Sequence, residues 1–565
     1  MQRIAPFLLL PLALAGQPPQ GAVRVPGRQR PGGAAQEQPA AVKPEDLCTV
    51  AGQVVNGATG EPLGKATVRL RRADAPAGGG GLQRTYSGGS DPAGRFTVSG
   101  VAPGKYRLSA SRTGFVDSDY GSGDPQRAGT VFSLAAKQQL GDLLFRMTPH
   151  AVITGRVLDQ DGEPMESLQV TALRYRYVQG RKQMASYGED STNDIGEYRV
   201  YGLPPGRYYI CVSPRRSFRP DAGSERADEE YVPTFFPGTI DAAAAAPVDA
   251  GPGAQLRGFD LRLSKHRTVK VAGRVTDTAG AGRQRLSVML APAQATGPAS
   301  MRRAPAVGPD GSFEIRGVVP GAYTLVASVF GRGQSLTARL PVQVGDANLD
   351  NVALAISPAV NASGRIRIDG QTTVALTGIQ VTLRSRDPNP AQFASAVNAK
   401  VNEEGAFTLE NVNPDHYNVV FSGLPDGTYV KAAAANGQDV LAAGLDLSRG
   451  GAGPLDVVLS PHAGQAAGVA QNDRQEPAVS ATVVLVPREK ERLDQPQFYR
   501  TATTDATGHF TYPNLAPGGY KVYAWQDVES GAWMDPDFMK PLESRGEPVT
   551  IREDGREDVP AKLIG

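Results

Sequence analysis

Residues 91–111 read DPAGRFTVSGVAPGKYRLSAS, and the same pattern returns four more times. It is DIGEYRVYGLPPGRYYICVS at 194–213, PDGSFEIRGVVPGAYTLVAS at 309–328, EEGAFTLENVNPDHYNVVFS at 403–422 and DATGHFTYPNLAPGGYKVYAW at 505–525. In every copy a glycine (Gly94, Gly196, Gly311, Gly405, Gly508) is followed two positions later by an aromatic: Phe96, Tyr198, Phe313, Phe407 or Phe510. A proline follows the aromatic (Pro103, Pro205, Pro320, Pro414, Pro517), and three residues beyond it stands a tyrosine: Tyr106, Tyr208, Tyr323, Tyr417 or Tyr520. The glycine marks a turn that needs positive φ, and the alternating run after it, Arg95-Phe96-Thr97-Val98, marks a half-buried strand. The proline removes a donor and stops the sheet. A second alternating strand then starts at the tyrosine, so the pattern predicts two antiparallel strands joined by a tight corner. A tyrosine there can bury its ring and return its hydroxyl to nearby backbone.

Some forty residues upstream of each cassette lies a short strand with a glycine at its centre: Gly52, Gly155, Gly273, Gly364 and Gly468. A turn and a second apolar run follow it, as in EPLGKATVRL (61–70) and EPAVSATVVLV (476–486). Downstream, each copy closes on a further strand such as LGDLLFRMTP (140–149) or LDVVLSP (455–461). A period near a hundred residues describes a string of domains, each with its own core, rather than a solenoid. The fold expected is all-β, a tandem array of small antiparallel β-sandwiches with Greek-key connections. Its domains are expected at 47–148, 149–265, 266–358, 359–461 and 462–565.

The chain has 565 residues with 66 glycines and 45 prolines, yet 40% of it is apolar, which suits turn-rich sandwiches better than disorder. Charge is balanced at 59 basic against 57 acidic residues, with no basic stripe, so neither nucleic acid nor an anionic membrane is an expected partner. The first residues, MQRIAPFLLLPLALAGQ, combine a basic Arg3, an apolar stretch from Ile4 to Leu14 and Ala13-Leu14-Ala15 as a cleavage signal. Residues 1–15 are therefore read as a secretory signal peptide, and 16–46, rich in Gly, Pro, Gln and Ala, as a linker. No later stretch is long and apolar enough to span a membrane. The expected location is outside the cytoplasm: periplasm, cell surface or medium.

Export makes disulfides possible, and the two cysteines, Cys48 and Cys211, are a candidate pair across the first domain junction; alternatively each is a separate buried hydrophobe. Long loops carry aromatics in the second copy (Tyr231, Phe235, Phe236) and the fifth (Trp525, Trp533). Such loops are where binding function usually sits, and aromatic faces stack on sugar rings. These five residues are the candidate ligand contacts, against the competing reading that the loops fold back and seal a domain junction. The stretch 117–124 has a passing likeness to a calcium loop but lacks its central glycine and closing acid.

Catalytic patterns are missing. The histidines (His150, His266, His416, His462, His509) stand singly, and there is no zinc-peptidase, nucleophile-elbow or phosphate-loop motif. Glu229-Glu230 and Glu403-Glu404 are adjacent acids that point apart. The expectation is no catalytic residues, no metal, no cofactor and no enzyme, although a convergent acid pair of a hydrolase is not visible in a sequence.

Gly52, Glu61, Pro62, Gly94, Phe96, Pro103, Gly104 and Tyr106, with their equivalents in the later copies, resemble the carboxypeptidase regulatory-like domain, a transthyretin-like sandwich related in shape to starch-binding-like modules. The likeness departs at Asp415, which replaces the turn glycine, and at Val469, which replaces a polar residue. The resemblance implies a structural or recognition role and carries over no catalytic residue. The functions it leaves open are an exported binding or scaffolding module of the cell envelope, with polysaccharide or an envelope protein as partner, or an accessory subunit that docks on an outer-membrane transporter.

Overall fold

The computed structural model describes residues 43–73, 85–121, 129–178, 180–214, 229–278, 286–293, 304–330, 335–370, 374–386, 396–451 and 453–564. The signal peptide and most of the expected linker lie outside the described residues.

The strands of 48–564 gather around five separate main cores, each lined by the aromatic and the tyrosine of one cassette. In the first unit, the opening strand Cys48–Asn56 lies between Arg95–Val101, which is antiparallel to it, and the closing strand Gln139–Met147. The second sheet pairs Thr67–Arg72 with both Tyr86–Gly89 and the tyrosine strand Gly104–Ser111. Alternation sends Val68, Leu70, Tyr106, Leu108 and Ala110 into one interior with Phe96, Val98 and Phe145.

Two features differ from the sequence reading. The opening strand runs parallel to its closing strand in all five units, so one pair per sandwich is not antiparallel. The two cassette strands also do not pair with each other. In the first four units the corner between them carries the chain from one sheet to the other, because a proline at that point offers no ladder donor; in the fifth, both strands belong to one eight-stranded sheet, in which other strands separate them. Each tyrosine hydroxyl then donates to the carbonyl four residues back. The acceptors are Ala102, Pro204, Val319, Asn413 and Ala516, at 2.5–2.9 Å. The corner is thus tied by a bond between side chain and backbone at the edge of each core.

The opening-strand glycine faces its cassette aromatic in register in every unit: Gly52 with Phe96, Gly155 with Tyr198, Gly273 with Phe313, Gly364 with Phe407 and Gly468 with Phe510. A Cβ at Gly273 would sit 2.0 Å from the Val352 carbonyl oxygen and 2.9 Å from the Phe313 ring. No side chain fits between strands that close, so the aromatic covers the glycine instead.

The units also touch one another. Arg339 of the third pairs with Asp415 of the fourth at 3.2 Å, and the Thr337 amide donates to Asn413 Oδ1. Asp415 also accepts from Ser385 Oγ, so the position where the fourth cassette loses its glycine is an interface residue. Between the fourth and fifth units, the Gly427 amide donates to Asn514 Oδ1 at 2.8 Å, and the Tyr429 hydroxyl donates to Glu553. The fifth unit reaches back further, to the first, where Thr130 and Ser480 share a hydroxyl bond of 2.6 Å.

Gly273→Ala is expected to lower the stability of the third unit by about 3 kcal/mol, the range of strained backbone substitutions. Urea denaturation of the full chain, followed by hydrogen exchange at residues 269–356, checks this.

Candidate functional site

In the second unit, alternation along Gly206–Ser213 puts Tyr208, Ile210 and Val212 into the main core. It leaves Cys211 on the outer face beside Leu173 and Met184, where a second apolar cluster forms. The long loop returns to cover that cluster. Its strand Thr234–Phe235 pairs with the tyrosine strand, and Phe235 is completely buried there. Phe236 packs edge-on against Phe259, with ring centroids 5.3 Å apart. Tyr231 is half-buried in the short strand Glu229–Tyr231, with the Lys265 ammonium 5.6 Å from its ring.

The fifth unit repeats this arrangement on a larger scale. Along Gly518–Trp525, Tyr520, Val522 and Ala524 point into the main core, while Tyr523 and Trp525 point outward with Val484 and Val486. The following loop folds over them. Trp533 joins the cluster, Trp525 stacks on Tyr523 at 5.6 Å, and Phe538 lies against Trp525. Tyr177, from the end of the long hairpin strand Gln169–Val178 in the second unit, meets Phe538 edge-on at 6.2 Å. At the hairpin tip, a Cβ on Gly180 would come within 2.8 Å of Met534.

The structure therefore brings Trp525 and Trp533 together, but as a buried seam between the second and fifth units. Phe235 lies in the outer cluster of the second unit, and Phe236, partly exposed, packs against its main core. Trp525, Trp533 and Phe235 are buried and present no open face to a ligand; each covers apolar surface that would otherwise meet water. The fifth unit's loop seals a junction, though with a unit distant in sequence, whereas the Phe235 loop covers an outer face of its own unit.

Of the two readings of the cysteines, the structure shows the unpaired one. Both are free and buried, Cys48 in the first unit's core and Cys211 in the outer cluster of the second. Each strand's alternation commits its thiol to a different apolar environment, and burial pushes the Cys211 thiol up to about 12. Among the described residues, no group of three or more His, Cys, Asp and Glu side chains is placed to hold a metal. Asp119 of the calcium-like stretch instead accepts from the Gly129 amide; residues 122–124 lie outside the described ones. His416 and His462 make exposed pairs with Asp446 and Asp554.

One concave site was not signalled by any motif. A cleft of about 100 Å³ opens where the fourth unit meets the corner of the fifth. Phe421, Leu424 and Tyr429 form one wall, and Phe498, Arg500 and Tyr520 the other. Gln497 spans the junction by donating to the Leu441 carbonyl at 3.3 Å.

Residues 49–139 match the carboxypeptidase regulatory-like domain. No curated protein sequence matches the chain. Among solved structures, GBS52, the minor pilin of Streptococcus agalactiae, is 11% identical with a TM-score of 0.23, covering 39% of this chain and 96% of its own. The Bacillus anthracis TIE protein is 12% identical with a TM-score of 0.14, covering 74% of this chain and 75% of its own. BcpA, the major pilin subunit of Bacillus cereus, is 10% identical with a TM-score of 0.15, covering 55% of this chain and all of its own.

Because both tryptophans of the chain lie in one seam, their emission reports on it. Tyr177→Ala is expected to weaken the seam by about 1–3 kcal/mol, shifting emission to longer wavelength and admitting acrylamide quencher. The thiols are expected to be unreactive toward a disulfide-exchange reagent in the native chain. Two per chain should titrate after unfolding without reductant, whereas a disulfide would leave none.

Proposed function

We propose that the chain is an exported, non-catalytic scaffold of the cell envelope, built from five copies of the carboxypeptidase regulatory-like sandwich. The observation that carries this reading is the use of its longest loops. Loops on rigid sandwiches commonly carry chemistry, but here their large side chains fasten units to each other or cover a sheet. The shared register of glycine and aromatic, and the shared hydroxyl bond of the corner, support a common origin for all five units. The signal-like first fifteen residues support export. Contacts between units, including the half-buried Arg339–Asp415 pair, support a fixed presentation of surfaces rather than a loose tether. Sugar stacking on Trp525 and Trp533 draws no support from their burial.

Expression of the tagged chain in its native cell, followed by fractionation and mass spectrometry, tests the proposal. The expected result is a mature chain beginning at Gly16 in the envelope or the medium, cross-linked there to another envelope component. A cytoplasmic chain that retains its first fifteen residues would overturn it.

A further inference from the structure

The corner that walls one side of the cleft between the fourth and fifth units differs from the corners of the first two units in one residue. In the first unit, Leu70 pairs with Tyr86, whose ring packs edge-on over the corner tyrosine Tyr106 at 6.0 Å. In the second unit, Tyr187 does the same to Tyr208 at 6.1 Å. The equivalent of Leu70 in the fifth unit is Leu485, and its partner is Arg500. A guanidinium thus stands where an aromatic ring would close the corner.

This guanidinium has no carboxylate partner among the described residues. Its bonds go to the carbonyls of Gln497 and Tyr499, both neutral. Partial burial holds its pKa below the ordinary arginine value. A cation so placed is costly unless an anion answers it. The rest of the cleft is lined mainly by apolar side chains, Phe421, Leu424 and Phe498 among them, with Gln497 beside them.

We propose that this cleft binds a small monocarboxylate with a compact apolar body, its carboxylate paired with Arg500 and its body packed between the two units. A guanidinium fork suits a carboxylate by geometry as well as by charge. The volume of about 100 Å³ limits the body to a few carbon atoms. Because its walls come from two units, a bound carboxylate also fastens their junction. The proposal goes beyond the scaffold reading and does not depend on where the chain is located.

Calorimetric titration of the full chain with isovalerate tests it, with isovaleramide as the neutral isostere and inorganic phosphate as a generic anion. Saturable binding of isovalerate is expected, at least tenfold tighter than that of isovaleramide or phosphate. It should weaken at least tenfold in Arg500→Gln and in Leu424→Trp, which fills the cleft from the other unit. Circular dichroism identifies which variants are folded, and Leu424→Trp carries the test alone if Arg500→Gln is not. No saturable binding to the unaltered chain would overturn the proposal. So would equal affinity for phosphate, or affinity unchanged in a folded variant.

Discussion

The fold depends on a backbone approach that only glycine permits. At the middle of each opening strand a Cβ would fall 1.9–2.7 Å from a carbonyl oxygen of the closing segment. That closeness lets the last strand of a unit lie parallel to its first and shut the sandwich. The price of an absent side chain is a hole in the core, which the cassette aromatic fills from the neighbouring strand. The glycine after the turn works in the same place. Gly94 at φ 74° accepts the Val54 amide, and its counterparts make the equivalent bond in the other four units. Opening strand, turn and aromatic therefore form one device, and the corner tyrosine ties it to the second sheet.

Much of this was legible because it is local. Glycine, aromatic, proline and tyrosine at constant spacing encode a turn, a half-buried strand, a sheet change and a tied corner, each with its own physical cause. Their alternation correctly placed one side of each strand in a core. The outer clusters were less legible, although a signal was present. Where the first unit's tyrosine strand alternates as Lys105-Tyr106-Arg107-Leu108, the second runs Tyr208-Tyr209-Ile210-Cys211-Val212 and the fifth ends Val522-Tyr523-Ala524-Trp525. An uninterrupted apolar run is the pattern of a strand covered on both faces. Those two units are the ones whose loops fold back.

Contacts between units left fainter traces. Asp415 stands out in the sequence only as a flawed turn, yet it holds Arg339 across a junction. Asn514, at φ 57°, occupies a position where Gly100 and Gly202 serve the first two units, and its amide side chain bridges to Gly427 and Pro425. In both cases a residue that replaces a glycine of the repeated pattern takes part in a contact between units. No spacing argument exposes Arg500, since its meaning comes from the strand register that sets it opposite Leu485.

The bonds from the fifth unit back to the first and second turn a linear series into a clasped one. Tension applied across residues 45–564 would load the Thr130–Ser480 bond and the Tyr177–Phe538 seam before it stretched the intervening units. These contacts are side-chain packing and single hydrogen bonds, whereas each sandwich is held by whole ladders. The clasp contacts would therefore part before any of the five interiors opened.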